Sequence, residues 1–432
     1  MASRIDMRRR HFLSAAAVTP FAGLLNAFPQ ASTEGDQTAF WAHVRREFRL
    51  DPNRAFFNTG TLGSSPRVVT ETVTEAMRMM DALPTYGYWA QGMPQAFKVR
   101  DKAAALLGAE PVEVTITHST TEGMNMIGLG LDLRPGDHVL TSTHEHPGGM
   151  AVWDFLAQHR GIVVDTLPLP LSPERDDEIL EAIEKRIRPR TRLIAVSHIL
   201  YSTGLVMPVK EIGQIARRKG ILYLVDGAHP VGMKPVNVKE IGCDFYAASG
   251  HKWLCGPRGT GLLYVKKEHL KRLRRFIHAY PEHHVPADVG TIDTQVSRLN
   301  FAWTTNLHDI LGLGAAIDFH QQIGAERVHA YNMALINRFK RAVVEVPNLQ
   351  LISTFDGPLA SPMATVRIIG KSNKQVFKRL RDEWRITVKE VADAELPQPL
   401  NAIRVSPHIY NTAAQVDELI AALRHIMTSA GE

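Results

Sequence analysis

Ile221-Leu222-Tyr223-Leu224-Val225-Asp226-Gly227-Ala228-His229 and Tyr246-Ala247-Ala248-Ser249-Gly250-His251-Lys252-Trp253 are the two stretches on which the fold and the chemistry of this chain turn. Each opens as a short apolar run bounded by small residues, the pattern of a strand covered on both faces. The first run ends in a carboxylate, the second in a lysine with glycine on either side of its loop. A lysine just past a buried strand can reach inward as an amine nucleophile, although for the tetrapeptide alone a surface lysine competes. A carboxylate ending a buried strand requires a cationic partner.

The same unit recurs on either side. Apolar, β-rich runs at 114–116, 138–141, 162–167, 193–197, 221–225, 245–248 and 261–265 are each followed by a helix-like stretch. This alternation predicts a mostly parallel seven-stranded sheet with helices on both faces. Ligands in that architecture sit at the carboxyl ends of the strands. Residues 40–110 read as mainly helical, with a loop at Asn58-Thr-Gly-Thr-Leu-Gly63. Beyond Asn306 a helical stretch leads to a second unit with strands near 364–369, 386–391 and 402–406 and a last helix over 413–427. The fold class is α/β: an N-terminal arm over 32–60, a large domain over 61–300, and a smaller C-terminal α+β domain over 301–432.

The chain has 432 residues, 44% apolar and 22% charged, with 31 Gly and 25 Pro. Those values exclude a disordered, collagen-like or long coiled-coil chain, and the length supports a full core without disulfides or a structural metal. Two cysteines, Cys243 and Cys255, cannot build a disulfide framework or a four-cysteine zinc site. Half of the net charge of +6 comes from residues 1–31, where Arg4, Arg8, Arg9 and Arg10 outweigh Asp6. The remaining body carries no nucleic-acid footprint. Residues 1–31 read as an address. Arg8-Arg9-Arg10-His11-Phe12-Leu13 precedes an Ala-rich run and Phe21-Ala-Gly-Leu-Leu25, a segment too short to span a membrane. Arg9-Arg10-x-Phe12-Leu13 resembles the bacterial twin-arginine signal. A basic helix capping the fold is the alternative, and an uncleaved tether is the other outcome to cleavage near Ala31.

Polar residues follow the strand ends: Ser119-Thr120-Thr121-Glu122, His144-Glu145-His146, Ser197-His198, Asp226 to His229 and Ser249 to Lys252. A protonated pyridine nitrogen would pair with Asp226 and make the ring an electron sink. Thr120 and Thr121, between a strand and a helix, offer hydroxyls and free N–H groups to a phosphate, a plain helix cap being the competing reading. Ser249 and His251 add donors beside Lys252. Together these residues suggest pyridoxal 5′-phosphate (PLP). No G-x-x-x-x-G-K-[ST] occurs, so a nucleotide triphosphatase is not supported. His144 and His146, at i and i+2, could share a strand face and ligate a metal, but a third ligand at matching spacing is missing and no metal is expected.

In chain order, Thr120-Thr-Glu, Glu145-His146, Asp226-Gly-Ala-His229 and Ser249-Gly-His-Lys252 resemble the class V aminotransferase family of PLP-dependent enzymes, over nearly all of residues 40–430. The resemblance implies the fold type I architecture. It implies that Lys252 holds the cofactor covalently and moves the Cα proton, that Asp226 meets the pyridine nitrogen, and that His146 stacks on the ring. Thr120, Thr121, Ser249 and His251 would hold the phosphate. Thr291, in Val289-Gly-Thr-Ile-Asp293, matches the position that reaches the phosphate from the other subunit, which implies a homodimer. His198 and His229 stand where many members carry Asn and Gln near the cofactor's 3′-oxygen. Arg404, in Ala402-Ile-Arg-Val-Ser-Pro-His-Ile-Tyr-Asn-Thr412, matches the arginine that forks the substrate α-carboxylate, a geometry that calls for Arg over Lys. Asn58 and Trp89 are candidates for the substrate mouth, with ordinary core or surface roles as the other reading.

Residues 386–404 contain no cysteine, so the mobile thiolate of desulfurase members is not expected here. The resemblance is nearer the isopenicillin-N-epimerase-like branch. It implies chemistry at Cα of an amino-acid or peptidyl amine substrate, with transamination as the leading reading and peptide or siderophore tailoring as a setting. Epimerisation or Cβ–S elimination is the enzymatic alternative, and a non-catalytic PLP-binding module is a third reading. The N-terminal stretch implies export by the twin-arginine machinery, folded and loaded, to the periplasm.

Overall fold

The computed structural model describes residues 34–280, 295–391 and 400–429; the N-terminal address and Thr291 lie outside them. Helix α1 (Glu34–Arg46) and a two-residue strand β1 (Ala55–Phe56) lead into helices α2 (Arg67–Ala82) and α3 (Met93–Leu107). The principal sheet comprises β2 (Val114–Thr117), β3 (His138–Ser142), β4 (Val163–Leu167), β5 (Thr191–Ser197), β6 (Leu222–Gly227), β7 (Phe245–Ser249) and β8 (Gly261–Val265). Its spatial order is β2-β8-β7-β6-β5-β3-β4. Six of these strands run one way, and β8 runs antiparallel to both of its neighbours. This is the mostly parallel seven-stranded sheet expected from the alternation of runs.

Burial on both faces explains why the central strands read as continuous apolar runs. Tyr223, Val225, Tyr246, Ala248, Leu262 and Tyr264 enter one core, while their neighbours Leu224, Phe245, Ala247, Leu263 and Val265 enter another. Successive side chains of a strand alternate faces, so one run feeds both cores. Between the strands run α4 (Thr120–Gly130), α5 (Pro147–Arg160), α6 (Asp176–Arg186) and α7 (Val209–Lys219). Met124, Ile127, Val152 and Trp153 of α4 and α5 cover the second face; Ile179 of α6 and Ile212 and Ala216 of α7 cover the first. Helix α4 starts where it does because the Ser119 hydroxyl accepts from the Glu122 amide at 3.1 Å. Helix α7 stops at Gly220, whose left-handed backbone suits a residue without a Cβ.

Two further helices follow, α8 (Leu307–Ile323) and α9 (Ala325–Val343). Leu311, Leu313, Ile317 and Phe319 of α8 belong to the large unit's core, and the change of core falls inside α9, between Val328 and Leu335. The packing therefore differs from a division at residue 301: a helix this apolar on all sides must be buried all round, and the large unit supplies the surface. The C-terminal unit holds an antiparallel sheet of β9 (Leu349–Leu351), β10 (Ala364–Ile368), β12 (Lys389–Val391) and β13 (Ala402–Val405), in the order β12-β13-β10-β9. Helices α10 (Asn373–Asp382) and α11 (Ala413–Thr428) pack on it through Val376, Leu380, Leu419 and Leu423. Strand β11 (Ile386–Thr387) instead pairs in parallel with β1. That pairing and a bridge between Asn58 and Ser406 bring the loop after β1 against the C-terminal sheet.

Candidate active site

At the carboxyl ends of β5, β6 and β7 lies a cavity of about 240 Å³, closed by the loop after β1 and by β12 and β13. Asp226, next to last in β6, is buried beneath it. Its Oδ1 accepts from the Ala228 amide at 2.9 Å. Its Oδ2 faces Gly149 of α5, where an added Cβ would stand 3.0 Å away. Burial raises this carboxyl above its usual range, an effect opposed by the Ala228 amide and by Lys252. Lys252 lines the same cavity from the loop after β7. That loop is fixed by backbone bonds: the Gly63 amide donates to His251 O at 2.9 Å and the Gly256 amide to Gly250 O at 2.8 Å. Burial brings the Lys252 amine down to about 8, with Arg404 acting in the same direction and Asp226 against it. An amine near 8 exchanges its proton close to neutral pH.

One end of the cavity is an anion cradle. The hydroxyls of Thr120 and Ser249 meet at 2.8 Å, and Thr121 and Ser119 line the cavity beside the N-terminus of α4. The unsatisfied amides of a first helical turn favour a phosphate. His251 lines it too, with Nδ1 2.9 Å from Thr260 O. A carbonyl only accepts, so Nδ1 carries the hydrogen and Nε2 of the neutral ring is an acceptor. A phosphate therefore gains a donor from His251 only when the ring is protonated.

His146 caps α5 by accepting from the Gly148 amide at 3.0 Å, which leaves its hydrogen on Nε2. Its ring meets Tyr201 edge-on with centroids 5.0 Å apart. Burial, then Lys252, Arg404 and Lys389, lower it to about 4, so it is neutral at pH 7. His229 is neutral as well, held far below its usual range by burial first and then by the neighbouring cations. The Trp253 indole donates to its Nδ1 at 3.2 Å. The hydrogen of His229 is then on Nε2, a buried atom without a hydrogen-bond partner among the described residues, in a ring that lines the cavity.

Two expected contacts fall elsewhere. His198 is buried but does not line the cavity; its Nδ1 lies 3.0 Å from the Tyr246 hydroxyl. Strand alternation is the reason: Ser197 faces the cavity, so the next side chain points away. Asn58 does not line it either and stands behind Arg404, accepting from Nη2 at 3.3 Å and from the Thr61 hydroxyl at 2.8 Å. Trp89, 43% exposed, lies in the helical turn Gly87–Gly92 and takes no part in the cavity. Thr291 lies outside the described residues.

Arg404 itself is 2% exposed and lines the cavity from β13. Its Nη1 donates to Tyr201 O at 2.7 Å and its Nη2 to the Thr61 hydroxyl at 3.2 Å. Gly60 makes room for it: a Cβ there would lie 2.8 Å from Nη2. His144 donates to Leu169 O at 3.2 Å, whereas His146 serves Gly148, so the two rings turn to different partners. Sequence reasoning missed Lys389, Tyr201 and Thr61, all of which line the cavity. It quoted Glu145 without a role. That carboxyl is buried, accepts from the Ser142 hydroxyl at 2.6 Å and from Ser197, and is raised to about 7, chiefly by burial. Tyr201 follows β5 at its carboxyl end, the signal that could have found it. Lys389 has no such signal, because its place depends on the pairing of β12 with β13.

The orphan N–H of His229 and the open Oδ2 of Asp226 fit a ring with an oxygen on one edge and a protonated nitrogen on the other. The cradle fits a phosphate, and Lys252 an aldehyde, so the residues present match PLP. The aminotransferase class-V family model matches residues 55–419. Isopenicillin N epimerase of Amycolatopsis lactamdurans is 32% identical over 397 residues, covering 89% of this chain and 98% of that protein. A probable cysteine desulfurase of Methanothermobacter thermautotrophicus is 28% identical, over 89% and 97%. Among solved structures, the apo cysteine desulfurase of Thermococcus onnurineus NA1 matches with a TM-score of 0.80 at 24% identity, over 92% of this chain and 99% of that one. A C-DES structure with glycine covalently linked to its PLP cofactor matches with a TM-score of 0.77 at 26% identity, over 88% and 98%. By fold, by site and by these likenesses, the chain belongs to the class V aminotransferase family and is a PLP-dependent enzyme of fold type I.

Proposed function

We propose that the chain catalyses transamination, exchanging the amine of an amino-acid or peptidyl substrate for the oxygen of a 2-oxo acid. One observation carries the reading: the buried amine of Lys252, the carboxylate of Asp226 and the guanidinium of Arg404 line one cavity. Bound PLP supplies the electron sink that makes the substrate's Cα–H acidic. Thr120, Thr121 and Ser249 hold its phosphate, joined by His251 only when that ring is protonated, Asp226 its ring nitrogen, His229 its 3′-oxygen side and His146 a ring face. Arg404 holds the substrate carboxylate with its guanidinium fixed by Tyr201, Thr61 and Asn58. Lys252 Nζ takes the Cα proton and keeps it on one side of the substrate. Returned to the far side of Cα, a proton needs a second carrier. His146, held near 4 and so without an imidazolium proton at pH 7, is no acid for that return.

Epimerisation is the second reading, favoured by the likeness to the isopenicillin N epimerases of Amycolatopsis lactamdurans and Streptomyces clavuligerus at 32% and 30% identity. Desulfuration through a thiolate of this chain gains no support. Cys243 and Cys255 are both buried, burial raises both thiols, and neither lines the cavity. The loaded enzyme, given single amino acids with and without a 2-oxo acid, decides between the readings. Acceptor-dependent appearance of the donor's keto acid supports transamination. Inversion at Cα without an acceptor, or release of sulfide and ammonia, refutes it. We also propose folded export to the periplasm and a homodimer. The first is supported by the paired arginines at 9 and 10, the second by the resemblance at Thr291.

A further inference from the structure

Lys389 opens β12 and is the cross-strand partner of Arg404 on β13. Side chains of directly opposed residues leave the same face of a sheet with Cβ atoms about 5 Å apart. Both line the cavity, and Lys389 is half-buried. It makes no hydrogen bond or ion pair with any described residue. Among the described residues, three cations, Lys252, Lys389 and Arg404, therefore face the cavity against one carboxylate, Asp226. Each of the others has its task. Lys252 meets the cofactor, Asp226 the ring nitrogen and Arg404 the substrate carboxylate, while the phosphate cradle is built from β7, the loop after it and the β2–α4 turn. A half-buried ammonium beside a guanidinium is unfavourable unless an anion sits between or beside them. The field of Lys389 already acts on the ring of His146, so its charge is felt inside the cavity.

The geometry points to Lys389 as the anchor of a second carboxylate, which makes the substrate an amino dicarboxylate: an acidic amino acid, or an amine bearing another acidic group a few bonds from its α-carboxylate. The inference rests on the reading of Arg404 as the anchor of the first carboxylate. Lys389 thus selects among amines and has no part in the proton transfer.

The test is equilibrium binding to the PLP-loaded protein, which needs no turnover. Glutarate and butyrate are titrated calorimetrically into the wild type, Lys389→Met and Lys389→Arg. The expected result is a preference of roughly fivefold for glutarate, the scale of one partly screened ion pair. Lys389→Met abolishes that preference while leaving butyrate affinity unchanged, and Lys389→Arg retains it. A wild type without the preference, or a Lys389→Met protein that keeps it, overturns the proposal. So does an equal loss for both ligands, which would make Lys389 a general source of positive field. Weakened PLP binding in Lys389→Met assigns the lysine to the cofactor's phosphate and also overturns it. Butyrate reports on Arg404 alone. If the wild type binds neither acid, the reading of Arg404 fails and the proposal with it. If butyrate binds but glutarate is not preferred, only the role of Lys389 fails.

Discussion

Replacing Gly149 with alanine should move stability and cofactor affinity in opposite directions. Gly149 is the third residue of α5 and its backbone is helical, so an alanine there suits the local conformation. In a helix that exchange is worth about 0.5–1 kcal/mol in favour of the folded state. The added Cβ meets one tight neighbour, Asp226 Oδ2 at 3.0 Å; the next atom, Met124 Cε, is at 3.9 Å. A carboxylate oxygen in an empty cavity can give by a few tenths of an ångström, so the unloaded protein should be as stable as the wild type or slightly more so. Oδ2 is also the oxygen left open to a ring N–H, because Oδ1 already serves the Ala228 amide. Displacing it weakens a charge-assisted hydrogen bond worth about 1.5–3 kcal/mol, or roughly 10- to 160-fold in the PLP dissociation constant. Urea denaturation of unloaded protein gives the first quantity and spectroscopic PLP titration the second. Asp226→Asn should lower affinity by the same route, so the double variant should lose little more than either single one. Unchanged PLP affinity in Gly149→Ala, or additive losses in the double variant, refutes the assignment of Oδ2 to the ring nitrogen.

Borohydride treatment of the loaded protein should fix a pyridoxyl group on the peptide containing Lys252; label on another lysine rejects the assignment. In unloaded protein, Lys252 is charged below about pH 8 and neutral above it. Its acylation rate should therefore rise through pH 8, measured by peptide mapping, and a midpoint near 10 would contradict the effect of burial. Arg404→Ala should retain PLP but lose about 2–5 kcal/mol of carboxylate binding, with Arg404→Lys recovering part; unchanged binding in calorimetry places the carboxylate elsewhere. Arg9→Lys with Arg10→Lys keeps the charge and removes the guanidinium pair, so the loaded protein should stay in the cytoplasmic fraction, and unaltered periplasmic recovery rejects the twin-arginine reading.

Strand-end chemistry was legible because burial on both faces makes β6 and β7 stand out, and because a carboxylate or lysine at such a strand's end has few other uses. Asp226, Lys252, Thr120 and Ser249 all meet in one cavity for that reason. His198 shows the limit. A one-residue step along β5 turns its side chain from the cavity to Tyr246, and strand phase is invisible until the sheet is assembled. Asn58 was a candidate for the substrate mouth with an ordinary core or surface role as the other reading, and its position behind the guanidinium depends on a bridge to Ser406 that no local pattern announces. The same holds for Lys389, whose significance comes from its partner across β12 and β13. The place of α8 was not legible, because a helix apolar on all sides fits either core and only packing shows which one encloses it.

The pairing of β1 with β11 also has a consequence in time. Asn58 and Arg404 are 346 residues apart in sequence. At about 5–20 residues per second of synthesis, roughly 17–70 s pass between the appearance of the first and of the second. Until β10 and β11 emerge late in that interval, Ala55 and Phe57, both buried in the finished molecule, lack the strands they meet in the C-terminal unit. Among the residues of this chain that line the cavity, Thr120, Thr121, Asp226, Ser249 and Lys252 are made well before Lys389 and Arg404. A molecule interrupted on the ribosome before residue 404 would carry Lys252 but lack the arginine proposed to anchor the substrate. On that proposal, completion of the last strand is the moment at which the chain becomes selective.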